Sequence, residues 1–175
     1  ARMDSPTIVG INGTAGGGGF SLAISGDIIY AVKNAKFTLA YTNAGLSPDG
    51  SSTFYLPRIV GMKRAKELML TNRVFSAEEA LDMNLIDSIF DNNEMLDEAL
   101  DKQAEIFAKG PTNAYKSVKK LLNQSFHNGL ETQMEEESIH ISNNAASKNG
   151  MEGLTAFSEK RKPIFDDWKK IFKHK

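Results

Sequence analysis

The chain has 175 residues and no cysteine, and its formal net charge at pH 7 is −1. The lack of cysteine excludes disulfides, thiolate zinc sites and a cysteine nucleophile, and the near-neutral charge gives no overall attraction to nucleic acid or to an anionic membrane. Because 41% of the residues are hydrophobic but no apolar run approaches the roughly 18 residues of a membrane-spanning helix, we expect a cytoplasmic globular protein.

The first part of the chain predicts an α/β unit. Short runs of β-branched and aromatic residues bounded by turn residues are typical of strands. They alternate with one apolar segment of helical character and with a loop that contains five glycines. The strands are predicted at residues 7–12, 27–32 and 36–40, the glycine loop at 13–19 and the helix at 20–25. Strand, helix and strand in this order are typical of α/β folds.

The rest of the chain predicts mostly helices. Pro48-Asp49-Gly50 indicates a turn, and Ser76 with Glu79 predicts a capping box that begins a helix ending near Asn84. One more strand is predicted at 85–90, with helices at 53–60, 63–71, 95–108, 112–126, 130–147 and 151–160. The last four are separated by Gly110-Pro111, Asn128-Gly129 and Asn149-Gly150. We therefore expect an α/β part over residues 1–110 and an all-helical part over residues 111–175.

Four consecutive glycines, Gly16 to Gly19, follow a predicted strand and precede a predicted helix. No Gly-Lys-Ser/Thr follows them, which excludes a phosphate-binding P-loop, and Ser21 stands where a dinucleotide fingerprint needs its third glycine. Glycines at a helix N-terminus let backbone amides approach a ligand without an intervening Cβ, and the helix dipole favours negative charge there. The loop therefore predicts a place where a developing oxyanion is stabilised.

A serine hydrolase is a second hypothesis for the same loop. Gly19-Phe20-Ser21-Leu22-Ala23 resembles a nucleophile elbow with alanine in place of the last glycine. Such an enzyme needs a histidine as its base, but the three histidines of the chain (His127, His140 and His174) all lie in the helical part, and none lies within a motif. The serine hydrolase is therefore the weaker hypothesis.

Short motifs in a fixed order extend from about Pro6 to Phe165. The first is Ile11-Asn12-Gly13-x-Ala15-x-Gly17-Gly18-Gly19, and those that follow are Asp27-Ile28, Asn34-Ala35-Lys36-Phe37, Gly45-Leu46-x-Pro48, Leu56-Pro57-Arg58-Ile59-Val60-Gly61, Ala65-x-Glu67-Leu68, Ser76-Ala77-Glu78-Glu79-Ala80 and Ala156-Phe157-x-Glu159-Lys160-Arg161. Each motif alone is weak evidence. As an ordered series they resemble the enoyl-CoA hydratase/isomerase (crotonase) family.

This resemblance implies a crotonase-like spiral of ββα units followed by a helical region that forms a homotrimer or a dimer of trimers. It also implies a coenzyme A thioester substrate, with no metal and no cofactor beyond the coenzyme A of the substrate. The Gly18 amide corresponds to one of the two oxyanion-hole donors, and Gly17 and Gly19 flank the substrate beside it. The second donor belongs to a front segment that this sequence does not contain, so we expect the chain to be part of a longer protein.

The side chains around the oxyanion hole decide which reaction follows. Hydratases of the family use two glutamates, and their positions correspond here to Ser21 and Tyr41, which are not carboxylates. Asp49 corresponds to the catalytic aspartate of the dienoyl-CoA and phenylacetate-pathway isomerases. A single carboxylate can move a proton from one carbon to another. We therefore expect an isomerase in which Gly18 stabilises the enolate, Asp49 transfers the proton, and Ser21 and Tyr41 contact the substrate.

Other interpretations of these residues remain open. Asp49 also corresponds to the nucleophile of 4-chlorobenzoyl-CoA dehalogenase, which has a tryptophan where Tyr41 stands. An aspartate between proline and glycine also fits a simple turn or N-cap, and an ordinary hydratase is disfavoured but not removed. Phe157 and Lys160 correspond to family positions that contact the adenine and 3′-phosphate of coenzyme A, although a solvated helix end fits them equally well.

A non-catalytic assembly subunit or RNA-binding protein is the hypothesis from a different class. Residues 156–175 contain seven lysines and arginines against three acids, which fits a local anionic partner, but the neutral net charge gives it little support. The run Glu135-Glu136-Glu137 predicts a solvated helix face rather than a metal site, because consecutive helical side chains point apart.

Overall fold

The computed structural model describes residues 3–165. These residues form two compact units, one of which is Thr7–Gln103, while the other contains residues 3–6 and 104–165. Within the described part of the chain, no helix combines the length and the apolar character that crossing a bilayer requires.

The Thr7–Gln103 unit contains two three-stranded sheets. The strands are β1 (Ile8–Ile11), β2 (Thr14–Gly16), β3 (Ile28–Val32), β4 (Lys36–Thr38), β5 (Phe75–Ser76) and β6 (Ser88–Phe90). One sheet has the order β1-β3-β6 and is parallel throughout. The other has the order β2-β4-β5, with β2 parallel and β5 antiparallel to β4.

Helices alternate with these strands in the first unit. They are α1 (Gly18–Ala23), α2 (Ser52–Thr71), α3 (Ala77–Asp82) and the start of α4 (Asn93–Ala108). The order strand, strand, helix occurs twice, as β1-β2-α1 and as β3-β4-α2. A parallel strand pair needs a crossover connection, and α1 lies in the connection between the paired strands β1 and β3.

Three phenylalanines form the centre of the core of this unit. Phe20 on α1, Phe37 on β4 and Phe75 on β5 are each at most 1% exposed. Phe37 and Phe75 stack with ring centroids 5.4 Å apart, and Phe20 meets both edge-on at 6.5 and 6.0 Å. Burial of each ring contributes about 1.5–3 kcal/mol, so this cluster fixes α1, which begins at the glycine loop, against the second sheet.

Most of the predicted helix boundaries are confirmed. The predicted break between residues 60 and 63 is a kink in α2 at Gly61, whose φ of 78° is not helical. The predicted capping box is also present, since Ser76 Oγ accepts from the Glu79 amide and Glu79 Oε2 accepts from the Ser76 amide, both at 3.2 Å. The helix that it begins ends in a left-handed turn at Asn84, with φ 56°.

The second unit is helical in its described residues. Its remaining helices are α5 (Thr112–Ser125), α6 (Leu130–Ala145) and α7 (Lys148–Ser158). The buried Ser117 of α5 joins α5 to α6, because its hydroxyl lies 3.0 Å from His140 Nδ1 and accepts from Asn144 Nδ2 at 2.9 Å.

Two sequence predictions about these elements are wrong. The predicted break at Asn149-Gly150 lies inside the first turn of α7, because Ser147 caps that helix by accepting from the Gly150 amide at 3.0 Å. The chain turns earlier, between α6 and Ser147. The predicted glycine loop at 13–19 contains β2, which the sequence prediction missed together with β5 because strands of two or three residues are defined by pairing rather than by a pattern.

Candidate active site

The glycine loop begins where β2 ends. Gly17 has φ 51° and ψ −124°, a conformation that residues with a Cβ rarely adopt. Its amide donates to the Thr38 carbonyl at 3.2 Å, which joins the loop to β4. The first intrahelical hydrogen bond of α1 runs from the Ser21 amide to the Gly17 carbonyl at 3.0 Å. The amides of Gly18 and Gly19 precede that bond, so α1 itself provides no acceptor for them.

Asp49 lies in the turn that leads into α2. Gly50 and Ser51 follow it with left-handed φ values of 60° and 71°. The Ser52 hydroxyl, which is buried, donates to the Asp49 carbonyl at 3.1 Å. A Cβ added to Gly50 would lie 2.7 Å from the Ser21 Cβ. The turn therefore packs directly on α1, which brings Asp49 to the glycine loop.

A chain of hydrogen bonds links the buried side of α1 to the Asp49 carboxylate. The Tyr41 hydroxyl donates to Asp49 Oδ1 at 2.6 Å, and Ser21 Oγ lies 2.9 Å from the same phenol oxygen. A phenol has one proton, and that proton lies toward Asp49. The Ser21 hydroxyl, which also lies 3.3 Å from the Gly17 carbonyl, is therefore the donor to Tyr41, and the order of donation is Ser21 to Tyr41 to Asp49.

The three side chains of this hydrogen-bond chain differ sharply in burial. Ser21 is 0% and Tyr41 9% exposed, whereas Asp49 is exposed. Burial raises the pKa of Tyr41 above its ordinary value of 10.0, and the hydrogen bond to Asp49 raises it further. The phenol therefore keeps its proton at neutral pH and acts as a donor to the carboxylate.

Gly18 is adjacent to this carboxylate. A Cβ added to Gly18 would lie 3.9 Å from Asp49 Oδ1, and one added to Gly19 would meet no atom within 4 Å. The Asp49 carboxylate thus lies beside Gly18, and the space beside Gly19 is open. Near a bound thioester, an amide at this position could donate to the carbonyl oxygen and the carboxylate could accept a proton.

The structure brings five of the eight predicted site residues into one cluster: Gly17, Gly18, Ser21, Tyr41 and Asp49. Gly19 adjoins them as the next residue of α1. Phe157 and Lys160 belong to the helical unit, where Phe157 is 85% exposed near the end of α7 and Lys160 follows it with a left-handed φ of 56°.

The nucleophile-elbow hypothesis for Ser21 is wrong. A nucleophilic serine must be accessible to the substrate, but Ser21 is fully buried and its hydroxyl points toward Tyr41. None of the described histidines is among its hydrogen-bond partners, and His174 lies outside the described residues. Within residues 3–165, no three His, Asp or Glu side chains lie close enough together to hold a metal ion.

Sequence reasoning missed the contributions of Gly50 and Ser52. The Asp-Gly pair after a proline did predict a turn, but no sequence pattern indicates that this turn packs on Ser21. The lysines and arginine of residues 156–175 are described only as far as Lys162, since residues 166–175 lie outside the described part.

The sequence resembles acyl-CoA enzymes over nearly its whole length. The enoyl-CoA hydratase/isomerase family model matches residues 1–169. The 1,2-epoxyphenylacetyl-CoA isomerase of Escherichia coli (strain K12) is 36% identical over 165 residues, covering 94% of this chain and 63% of that protein. The mitochondrial methylglutaconyl-CoA hydratase of Mus musculus is 37% identical over 169 residues, covering 94% of this chain and 54% of that protein.

A dehalogenase and a solved structure extend these similarities. The 4-chlorobenzoyl coenzyme A dehalogenase-1 of an Arthrobacter species is 32% identical over 160 residues, covering 91% of this chain and 58% of that protein. The crystal structure of a putative enoyl-CoA hydratase/isomerase from Mycobacterium abscessus superimposes with a TM-score of 0.89 at 32% identity, covering 93% of this chain and 62% of that one. The chain thus spans between about half and two thirds of the length of these relatives.

Proposed function

The chain belongs to the enoyl-CoA hydratase/isomerase family and has its crotonase fold, and on that premise we propose that it provides the catalytic carboxylate and one oxyanion-hole amide of an acyl-CoA isomerase. One observation carries this proposal: the Asp49 carboxylate lies beside Gly18, with Oδ1 3.9 Å from where a Gly18 Cβ would stand. An acceptor for a proton and a donor to an oxyanion are thus side by side.

The proposed reaction is a double-bond shift. The Gly18 amide would donate to the thioester oxygen of the substrate and stabilise the negative charge that forms there when an adjacent carbon loses a proton. Asp49 would take that proton and return it to a different carbon, which moves the double bond and regenerates the carboxylate. No water molecule is consumed, so one carboxylate is enough.

The neighbours of Asp49 favour isomerisation over hydration. Adding water needs one group that activates the water and usually a second that holds it and delivers a proton. Ser21 and Tyr41 stand at the positions of the hydratase glutamates, and both of their hydroxyl protons are already used. The Ser21 hydroxyl donates to Tyr41, and the Tyr41 hydroxyl donates to Asp49. The 37% identity to a methylglutaconyl-CoA hydratase keeps hydration as an alternative.

The Asp49→Asn variant of the complete gene product tests the assignment. Because asparagine has the shape of aspartate but is not a base at neutral pH, we expect kcat for the double-bond shift to fall by about 100-fold or more with little change in KM. The measurement is steady-state turnover of a panel of unsaturated and ring-containing acyl-CoA thioesters.

Asp91→Asn is the matched control for this variant. Asp91 is an exposed aspartate after β6, and its substitution should leave turnover within about 2-fold of wild type. Turnover of Asp49→Asn within a few-fold of wild type would contradict the role of Asp49 as the proton-transferring base.

Dehalogenation is the second candidate, and the 32% identity to an Arthrobacter dehalogenase favours it. Asp49 would then attack the ring of a 4-halobenzoyl-CoA, expel halide and form a covalent ester, as an activated carboxylate nucleophile can. Halide release together with a covalent adduct on Asp49 in the mass spectrum identifies this reaction. Double-bond migration without an adduct identifies the isomerase.

The same proposal extends to the helical unit. Phe157 would contact the adenine of coenzyme A and Lys160 its 3′-phosphate, because an exposed ring and an exposed cation suit those groups. Homotrimers or dimers of trimers would form through residues 111–175. Cytoplasmic location stays a prediction from the composition.

A further inference from the structure

Tyr41 is fixed in place by its own loop. It lies at the start of a 3₁₀ helix (Thr42–Ala44), and its carbonyl accepts from the amides of Ala44 and Leu46, each at 3.0 Å. Its ring belongs to the hydrophobic core of the unit. Asp49, by contrast, lies in an exposed turn. The rigid group in the pair is therefore the phenol, and the group that needs positioning is the carboxylate.

The hydrogen bond between them is the kind that stabilises a charged acceptor. An O–H···O⁻ bond is typically about 2.5–2.7 Å long and roughly twice as strong as a neutral one, and the bond from Tyr41 to Asp49 Oδ1 measures 2.6 Å. The Tyr41 hydroxyl also accepts a hydrogen bond from Ser21. A hydroxyl that accepts one hydrogen bond becomes a stronger donor, so this contact strengthens the bond from Tyr41 to Asp49.

The two carboxylate oxygens of Asp49 differ as a result. Within residues 3–165, Tyr41 is the one side-chain donor to this carboxylate, and it uses Oδ1. Oδ2 receives no hydrogen bond there, so its lone pairs are available to a substrate proton. One oxygen is positioned and the other can act as the base.

We propose that Tyr41 is the positioning residue of Asp49: its buried hydroxyl fixes Oδ1 and leaves Oδ2 as the basic oxygen. Ser21 supports Tyr41 in this role. The inference rests on the proposed function, since it assumes that Asp49 transfers the proton. It changes the role expected for Ser21 and Tyr41 from substrate contact to support of the base.

The Tyr41→Phe variant of the complete gene product tests this role, because it removes the hydroxyl and keeps the ring. We expect kcat for the double-bond shift to fall by about 10-fold or more, with KM for the acyl-CoA within about 3-fold of wild type. Because Tyr41 would act only through the Asp49 carboxylate, adding Tyr41→Phe to Asp49→Asn should lower the residual kcat no further.

Two further variants separate this role from a structural one. Tyr30→Phe is the matched control, since the half-buried Tyr30 hydroxyl also donates one hydrogen bond, to Gln103 Oε1 at 3.3 Å, outside the site. It should leave kcat within about 2-fold of wild type. Ser21→Ala should lower kcat as Tyr41→Phe does but by less, and it provides the test if Tyr41→Phe fails to fold.

The outcomes distinguish this inference from the proposed function. An inactive Asp49→Asn together with wild-type kcat in Tyr41→Phe would overturn the role of Tyr41 and leave that of Asp49. Wild-type turnover in Asp49→Asn would overturn both. A further loss of kcat when Tyr41→Phe is added to Asp49→Asn would also overturn the inference, since loss of packing alone produces that result.

Discussion

Gly50 combines two requirements that only glycine meets. Its φ of 60° lies in the left-handed region, and the hydrogen atom in place of a side chain lets the turn approach Ser21. Any Cβ there would lie 2.7 Å from the Ser21 Cβ, a distance that real structures do not tolerate. The position of Asp49, one residue earlier, therefore depends on Gly50.

Substitution of Gly50 by alanine should damage both stability and activity. We expect a loss of more than about 1 kcal/mol in the free energy of unfolding, because the strain of a left-handed alanine adds to the clash. Displacing Asp49 by about 1 Å should lower kcat/KM by about 100-fold. Urea unfolding and steady-state kinetics of Gly50→Ala measure the two effects.

Gly13→Ala is the matched control for Gly50→Ala. A Cβ added to Gly13 meets no atom within 4 Å, and its φ is not left-handed. Its stability should stay within about 0.5 kcal/mol of wild type. Equal stability and activity in the Gly50 and Gly13 variants would show that the turn does not depend on its approach to Ser21.

At the scale of elements, the end of α7 depends on one carboxylate. Glu152 accepts from the Arg161 guanidinium at 2.7 and 3.0 Å and from the Ile164 amide at 2.8 Å. These contacts lower the pKa of Glu152 from its ordinary 4.5 to about 2, with the Arg161 hydrogen bonds as the largest cause. The segment after α7 is thus joined to the helix through a group that must be ionised.

The lowered pKa of Glu152 predicts the pH range over which this contact is lost. Because the pKa is lower in the folded state, the stabilisation by the ionised Glu152 is complete above about pH 4.5 and is lost as the pH falls through about 2. We expect the hydrogen-exchange protection of the Ile164 amide, corrected for intrinsic exchange, to fall between pH 4.5 and 2. In Glu152→Gln the protection should be low throughout that range.

Glu159→Gln separates the hydrogen bond to Ile164 from the charge on Arg161. Glu159 also accepts from Arg161, at 2.6 Å, but it does not contact the Ile164 amide. Its substitution should preserve most of the protection of Ile164. Protection that is independent of pH in the wild type would show that the Glu152 carboxylate does not hold this segment.

Elements could be predicted from the sequence where a strong local signal sets their ends. The capping box at Ser76 and the break near Gly61 are such signals, and both are confirmed. The start of α7 was misplaced because the Ser147 cap outweighs the Asn-Gly pair that follows it. The strands β2 and β5 have no signal of their own, because pairing with β4 defines them.

The candidate site also has one part that the sequence predicts and one part that it does not. The family motifs and the turn chemistry of the sequence are enough to propose the glycine loop and Asp49 as site residues, and the structure places them side by side. The hydrogen bond from Tyr41 to Asp49 could not be predicted, because the two side chains are eight residues apart in a loop without periodicity. Such a contact within a loop follows from tertiary packing, here the burial of Tyr41 in the core.

At the scale of the whole molecule, the helical unit leaves many large apolar side chains exposed. Those more than half exposed on α5, α6 and α7 are Val118, Leu122, Leu130, Met134, Ile139, Ile141, Met151, Leu154 and Phe157. Three of them, Val118, Met134 and Ile141, line a groove of about 590 Å³ between α5 and α6 together with Leu121. Exposed apolar surface of this kind is typical of a protein–protein interface, which supports the proposed role of residues 111–175 in self-association.

Self-association through this groove predicts that one charge on its wall weakens the oligomer. Ile141 is 69% exposed and lines the groove, so burying a glutamate there would leave a charge without a partner, at a cost of several kcal/mol. We expect sedimentation velocity of the complete gene product to give a trimer or hexamer, and Ile141→Glu to dissociate at concentrations at least about 10-fold higher.

Ser142→Glu, which adds the same charge to an exposed position outside the groove, should sediment as wild type. A monomeric wild type, or equal behaviour of the two variants, would contradict this interface, because a charge weakens association only where a partner subunit excludes water from it.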